Sequence, residues 1–178
     1  MNLSQFEQFD LSPELLKALE KKGYSRPTAI QMEAIPAAME ERDVLGSAPT
    51  GTGKTAAFLL PALQHLLDYP RRKPGPPRIL VLTPTRELAM QVAEQAEELA
   101  QFTHLNIATI TGGVAYQNHG DVFNTNQDLV VATPGRLLQY IKEENFDCRS
   151  VEMLIFDEAD RMLQMGFGQD AEKIAAET

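Results

Sequence analysis

The residues best suited to chemistry form one short stretch, Ala48-Pro49-Thr50-Gly51-Thr52-Gly53-Lys54-Thr55. The short run 43–47 before it favours a buried strand, and the apolar run 56–60 after it favours a helix. Strand, glycine-containing loop, Lys-Thr and helix are the layout of a phosphate-binding loop. Gly51 and Gly53 would let phosphate oxygens approach bare backbone amides at the positive end of the helix.

Within this stretch, Lys54 is predicted to reach the β- and γ-phosphates, and Thr55 to offer its hydroxyl to Mg²⁺. The general pattern G-x-x-x-x-G-K-[ST] opens with Gly, whereas this chain has Ala48 there. A Thr/Gly turn leading into a helix is the alternative interpretation. Turns rarely carry Gly-Lys-Thr at a strand-to-helix junction, so the phosphate-binding loop is favoured.

A second candidate site is the pair Asp157-Glu158, which directly follows the apolar run 151–156. Phosphoryl transfer needs a metal, held by the loop Ser or Thr and a strand-end Asp, and a group that orients the attacking water. Asp157 fits the metal role, through bound water, and Glu158 the water-orienting role. A pair of carboxylates that caps a helix is the structural alternative. The guanine-reading pattern [NT]-K-x-D is absent, which argues against a GTPase.

Length and composition indicate one globular domain. The chain has 178 residues, of which 43% are hydrophobic and 23% charged. Its single cysteine, Cys148, excludes an internal disulfide and suits a reducing compartment. No apolar run reaches membrane-spanning length, and the polar start 1–5 is not a signal peptide. We therefore expect a cytoplasmic protein without a membrane partner.

The net charge of −9 bears on nucleic-acid binding. A protein that holds nucleic acid mainly by non-specific charge should be basic. This chain must therefore use a local site, bind no nucleic acid, or belong to a longer chain that supplies basic surface.

Short apolar runs alternate with helical patterns along the chain. After the run 43–47, the predicted strands are 79–82, 106–111, 129–132 and 151–156. The predicted helices start at Ser12-Pro13, Lys54, about Thr85, Tyr116 and Leu137. Such alternation predicts an α/β fold with a doubly wound parallel sheet flanked by helices. Ligands of these sheets bind beyond the carboxyl ends of the strands, where every motif in this chain falls.

Together these motifs resemble the DEAD-box RNA helicases, which take their name from the sequence at Asp157-Glu158-Ala159-Asp160. Residues 48–55 resemble that family's phosphate loop, which accounts for Ala48. The segment 23–31 resembles its adenine-reading Q motif, and Phe6 lies where the family has an upstream aromatic residue. The resemblance implies a RecA-like fold, ATP and Mg²⁺ as cofactors, and Lys54, Asp157 and Glu158 as catalytic residues. Besides 48–55, it implies nucleotide contacts from Phe6, Tyr24, Arg26 and Gln31.

Three further segments resemble the family's RNA-contacting motifs: 84–89 motif Ia, 112–113 the glycine doublet, and 133–136 motif Ib. Such turns contact RNA phosphates and 2′-hydroxyls without reading sequence, which is compatible with an acidic protein. On pattern alone, Thr85 and Thr133-Pro134 are ordinary helix starts. The RNA-binding residues implied are Pro84, Thr85, Arg86, Gly112, Gly113, Thr133, Pro134, Gly135 and Arg136.

The resemblance also sets expectations for domains. Residues 1–40 are expected to be an N-terminal helical segment with the Q motif, packed on the same domain, and 41–178 a partial RecA-like ATP-binding domain. The family's Ser-Ala-Thr segment and its second RecA-like domain, with an arginine finger, are not found in the sequence. We therefore expect most of the first domain of a two-domain motor, nearly inactive alone, with the second domain as its partner in cis.

The narrower function has open alternatives. Segments 64–67, 107–116 and 137–148 are most similar to a bacterial ribosome-assembly helicase, which implies ribosomal RNA or ribosomal proteins as partners. A DNA helicase or translocase of the same superfamily is the second hypothesis. A nucleotide-dependent scaffold or switch that binds ATP without remodelling RNA is the third.

Overall fold

The computed structural model describes residues 11–22, 54–70, 76–111, 127–143, 150–157, 166, 169 and 173–174. The predicted strand 43–47, the predicted helix 116–123 and the end of the first helix at Gly23 lie outside these residues.

The described part of the chain has four helices and four strands. Their bounds are α1 Pro13–Lys21, α2 Lys54–Asp68, β1 Ile79–Leu82, α3 Arg86–Leu99, β2 Ile107–Ile110, β3 Leu129–Ala132, α4 Pro134–Lys142 and β4 Met153–Phe156. The bounds of β1 and β3 are those predicted, whereas β2 and β4 are shorter. Helix α4 begins at Pro134 rather than at Leu137, because Thr133 is its N-cap and Pro134 occupies its first turn.

The strands form one sheet in the order β2-β3-β1-β4, and all three pairings are parallel. The register aligns Ile110 with Ala132, Leu82 with Ala132, and Leu82 with Phe156. All four strands therefore end at the same edge of the sheet. The predicted parallel α/β sheet is confirmed.

The strand sequences explain this arrangement. β1 and β3 are buried at all four positions, as expected of parallel strands covered on both faces. On one face, alternate strand residues pack against α4 in a hydrophobic core that includes Leu80, Val130, Leu137 and Tyr140. The core thus fixes α4, and the turn before it, against the sheet.

The chain divides into two compact units, one of Met1–Pro70 with Gln95–His104 and one of Arg71–Glu94 with Leu105–Thr178. The four strands and α4 belong to the second unit. In the first unit, α1 buries Leu15, Ala18 and Leu19. The predicted boundary near residue 40 stays a prediction. No described helix has the length and apolar character needed to cross a membrane.

Candidate functional site

Four polar residues directly follow the four strands and line the carboxyl edge of the sheet, in the order Thr111, Thr133, Thr83 and Asp157. Three backbone hydrogen bonds extend the sheet into this row: Thr133 N–H to Ile110 O at 3.0 Å, Thr83 N–H to Ala132 O at 3.0 Å, and Asp157 N–H to Leu82 O at 2.8 Å. Three of the four residues thus continue the backbone hydrogen bonding of the sheet by one position.

All four side chains of the row are buried, with exposed fractions of 2% for Thr111, 9% for Thr133, 0% for Thr83 and 4% for Asp157. The row lies at the carboxyl edge of a parallel sheet, which is where ligands bind in folds of this class. Thr133 and Asp157 were predicted as site residues, whereas Thr83 and Thr111 were missed. The available signal was a polar residue, threonine in three cases and aspartate in the fourth, directly after each of the four strands.

Thr85 caps helix α3. Its Oγ1 accepts the backbone N–H of Leu88 at 3.2 Å, and its carbonyl accepts the Thr83 hydroxyl at 3.3 Å. The helix-cap interpretation of Thr85 is thus confirmed. A hydroxyl that accepts this bond still carries its own proton, which it can donate to a phosphate oxygen.

The turn 133–136, which precedes and begins α4, has no side-chain cap like that of Thr85 in α3. Thr133 has the extended backbone of an N-cap, but its side chain makes no capping hydrogen bond. Pro134 is buried. Gly135 is exposed, and a Cβ added there would meet no atom within 4 Å, so the backbone is accessible at this point. Arg136 follows on the first turn of α4 and is half-buried.

Two helices begin beside this row, α3 at Arg86 and α4 at Pro134. A helix N-terminus carries unpaired N–H groups and partial positive charge, which favour phosphate. Exposed Arg86 and half-buried Arg136 add full positive charges. Because β1 and β3 are neighbours, the structure brings the predicted segments 84–86 and 133–136 to one edge. Gly112 and Gly113 lie outside the described residues.

The nucleotide motifs are described only in part. Lys54 opens α2, and Thr55 is half-buried in its first turn. The other predicted nucleotide residues, Phe6, Tyr24, Arg26, Gln31 and 48–53, lie outside the described residues, as does Glu158. Their roles stay predictions.

Asp157, which was predicted to bind a metal, directly follows β4. Its carboxylate is buried, with Oδ1 withdrawn from solvent, and Mg²⁺ prefers oxygen ligands of this kind. No group of three or more His, Cys, Asp or Glu side chains forms a metal site among the described residues. That result is compatible with Mg²⁺ bound to phosphates, because this ion usually keeps several waters and only one or two protein carboxylates.

The family model of the DEAD/DEAH box helicases matches residues 28–178 of the chain. The chain belongs to the DEAD/DEAH box helicase family. Two relatives of this helicase chain are named ATP-dependent RNA helicase SrmB. The one from Haemophilus influenzae is 99% identical and the one from Escherichia coli 72% identical, each over 178 residues, which is 100% of this chain and 40% of the relative. The predicted resemblance to the family is confirmed, and so is the narrower one to a bacterial helicase.

The fold of this helicase chain also matches a solved structure, described as a hypothetical ATP-dependent RNA helicase from Sulfolobus tokodaii. The TM-score is 0.84 with 35% sequence identity, over 94% of this chain and 47% of that one. The RecA-like fold predicted from the motifs is thereby confirmed. The helicase chain spans less than half the length of the SrmB relatives and of this structure.

Proposed function

We propose that this chain is the ATP-binding RecA-like domain of an ATP-dependent RNA helicase, and that the carboxyl edge of its sheet holds the RNA backbone. One observation carries the RNA part of the proposal. The starts of two helices lie side by side at this edge, directly after the neighbouring strands β1 and β3, and each helix bears an arginine in its first turn.

This edge suits a phosphate backbone rather than bases. Helix N-termini, hydroxyls and arginines bind phosphates and sugars, which position a nucleic acid without reading its sequence. Local positive charge at Arg86 and Arg136 also resolves the conflict with the net charge of −9, because binding then depends on a small site. The half-buried Thr85 hydroxyl could in addition bond a 2′-hydroxyl, the group that distinguishes RNA from DNA.

For the nucleotide we propose roles from the motifs. Lys54 binds the β- and γ-phosphates, Thr55 and Asp157 hold Mg²⁺ through water, and Glu158 orients the attacking water. Bound Mg²⁺ would neutralise charge on the phosphate oxygens. The buried carboxylate of Asp157 supports its metal role, and the position of Lys54 at the start of α2 supports the phosphate role. Structured ribosomal RNA is the proposed target, because segments 64–67, 107–116 and 137–148 resemble a bacterial ribosome-assembly helicase.

The test uses the full-length protein that contains this chain. ATP hydrolysis is measured without nucleic acid, with single-stranded RNA and with DNA of the same sequence, alongside separation of an RNA duplex. RNA-stimulated hydrolysis and strand separation are expected. Equal stimulation by DNA would favour a DNA translocase, and ATP binding without stimulation would favour a nucleotide-dependent scaffold.

A site-directed test complements it. Arg86→Ala and Arg136→Ala should each weaken RNA binding by a similar factor for different RNA sequences, and each should lower the slope of log K against log salt by about 1. Lys142→Ala, which removes an exposed lysine from the last turn of α4, is the control and should leave the slope almost unchanged.

A further inference from the structure

Arg136 is held by a neighbour on its own helix. Its Nη1 donates a hydrogen bond to the hydroxyl oxygen of Tyr140 at 3.2 Å, and the centre of its guanidinium lies 5.8 Å from the centroid of the Tyr140 ring. The two residues are four positions apart in α4, so they lie on the same face of the helix.

Tyr140 is a rigid support for this contact. The residue is 1% exposed and belongs to the core cluster that packs α4 against the sheet, together with Leu82, Ala132 and Leu137. A buried tyrosine has one apolar body and one polar tip, and the tip is commonly hydrogen-bonded. Here the ring is fixed by the core while its hydroxyl reaches the guanidinium at the carboxyl edge.

The contact with Tyr140 does not by itself prevent Arg136 from binding an anion. A guanidinium has five N–H donors in a planar fork, and the Tyr140 hydroxyl takes only one of them. A hydroxyl is neutral, so unlike a carboxylate it does not cancel the positive charge. Fixing the side chain before binding also lowers the entropy lost when a ligand orders it.

We propose that Tyr140 is a positioning residue for RNA binding, which holds the Arg136 guanidinium ready for a backbone phosphate. This inference rests on the proposed function of the carboxyl edge. Tyr140 itself does not touch the RNA, and its effect is transmitted only through Arg136.

The experiment is a double-mutant cycle in the full-length protein, with affinity for single-stranded RNA measured by fluorescence anisotropy. Tyr140→Phe keeps the buried ring and removes only the hydroxyl. We expect it to weaken RNA binding about fivefold, the factor contributed by a typical hydrogen bond. In the Arg136→Ala background the same substitution should have no further effect, because the guanidinium that it positions is gone.

A matched control is Gln139→Ala, an exposed position next to Tyr140 on α4, which should leave RNA affinity unchanged. Unchanged or tighter RNA binding by Tyr140→Phe would overturn the positioning role. The same holds if Tyr140→Phe lowers RNA affinity by the same factor in the Arg136→Ala background as in the wild type, because that result would indicate a structural effect.

If wild-type protein binds no RNA, or if Arg136→Ala binds RNA like the wild type, the proposed RNA site fails instead. These outcomes distinguish the two proposals.

Discussion

The side-chain oxygen Oε1 of Gln64 accepts the backbone N–H of Ser12 at 2.7 Å, although the two residues are 52 positions apart. Ser12 is the N-cap of α1. In a capping box this N–H is bonded by a Glu or Gln at the third helical position, but Leu15 occupies that position here. Gln64 of α2, which is only 3% exposed, supplies the acceptor for this N–H instead. Its Nε2 also donates a hydrogen bond to Oδ1 of Asp68 at 2.7 Å. The start of α1 is therefore anchored to α2 within the first unit.

Gln64→Leu should destabilise the protein. The substitution keeps the size of the side chain but removes its polar amide, so the part-buried Ser12 N–H loses this acceptor, which costs about 1–3 kcal/mol. Urea denaturation of the 178-residue chain measures the change. Gln139→Ala, at an exposed position, is the control and should change the free energy of unfolding by less than about 0.5 kcal/mol. Equal midpoints for Gln64→Leu and wild type would contradict the anchoring role.

Local patterns were sufficient to predict the four strands that the structure describes, to within two residues at each end, and the starts of three of its four helices. The strands 79–82 and 129–132 are continuous apolar runs between polar segments, and such runs form buried parallel strands. The helix predicted to start at about Thr85 is α3, and its apolar repeat Val92, Ala96 and Leu99 is buried at all three positions. For α4 the sequence allowed two starts, at Thr133-Pro134 as a cap and first-turn proline and at Leu137 as the first residue of the apolar run, and the structure has the former.

Contacts that depend on packing could not be predicted. The bond between Gln64 and Ser12 joins two helices whose relative placement is not encoded in any local pattern. The proposed role of Tyr140 was missed for a similar reason. The sequence predicts only a core position for its ring, whereas the packed helix places its hydroxyl beside Arg136. At the sheet edge, the motifs located Thr85 but did not reveal the neighbouring row that includes Thr83 and Thr111.

The ion pair of Arg78 and Glu152 should stabilise the start of the sheet. Arg78 donates from Nε to Oε1 at 3.1 Å and from Nη2 to Oε2 at 2.7 Å, and its side chain is 11% exposed against 43% for Glu152. Glu152→Gln removes the negative charge beside the nearly buried Arg78 guanidinium. Because solvent reaches the Glu152 carboxylate, we expect the free energy of unfolding to fall by only about 1–2 kcal/mol. Chemical denaturation checks this value. Glu97→Gln, on the exposed side of α3, is the control; a loss no larger than that of the control would contradict the prediction.

Lys54→Ala should weaken nucleotide binding without unfolding the protein. Losing a charge-assisted contact to phosphate costs about 1.5–3 kcal/mol, which corresponds to roughly 10- to 100-fold in affinity for ADP with Mg²⁺. Isothermal calorimetry on both proteins measures it, with Lys142→Ala as a control for general loss of positive charge. Unchanged affinity in a folded Lys54→Ala protein would remove Lys54 from the phosphate site.

Gln31 is predicted to make the site prefer adenine. Its amide has a donor and an acceptor that match the N6 and N7 edge of adenine, whereas guanine presents an acceptor in place of the amino group. A mismatched base leaves polar groups unpaired, so ADP should compete much better than GDP. Gln31→Ala should narrow that difference. Equal competition by the two nucleotides in the wild type would refute the role.

The last prediction separates two roles of one hydroxyl, that of Thr85. As an acceptor it caps α3 through the Leu88 N–H, and as a donor it is proposed to bond an RNA phosphate. Thr85→Ala should lose both functions, with stability falling by about 1 kcal/mol and RNA affinity by about fivefold. Thr85→Ser should retain both.

Thr85→Asp is the decisive variant. A carboxylate accepts the capping bond well and is favoured at a helix N-terminus, so the stability of the chain should return to that of the wild type or exceed it. The same carboxylate has no proton to donate and repels phosphate, so RNA affinity of the full-length protein should fall at least as far as in Thr85→Ala. Urea denaturation and fluorescence anisotropy measure the two quantities independently. If Thr85→Asp bound RNA like the wild type, no phosphate would lie near the hydroxyl, and Thr85 would be a helix cap alone.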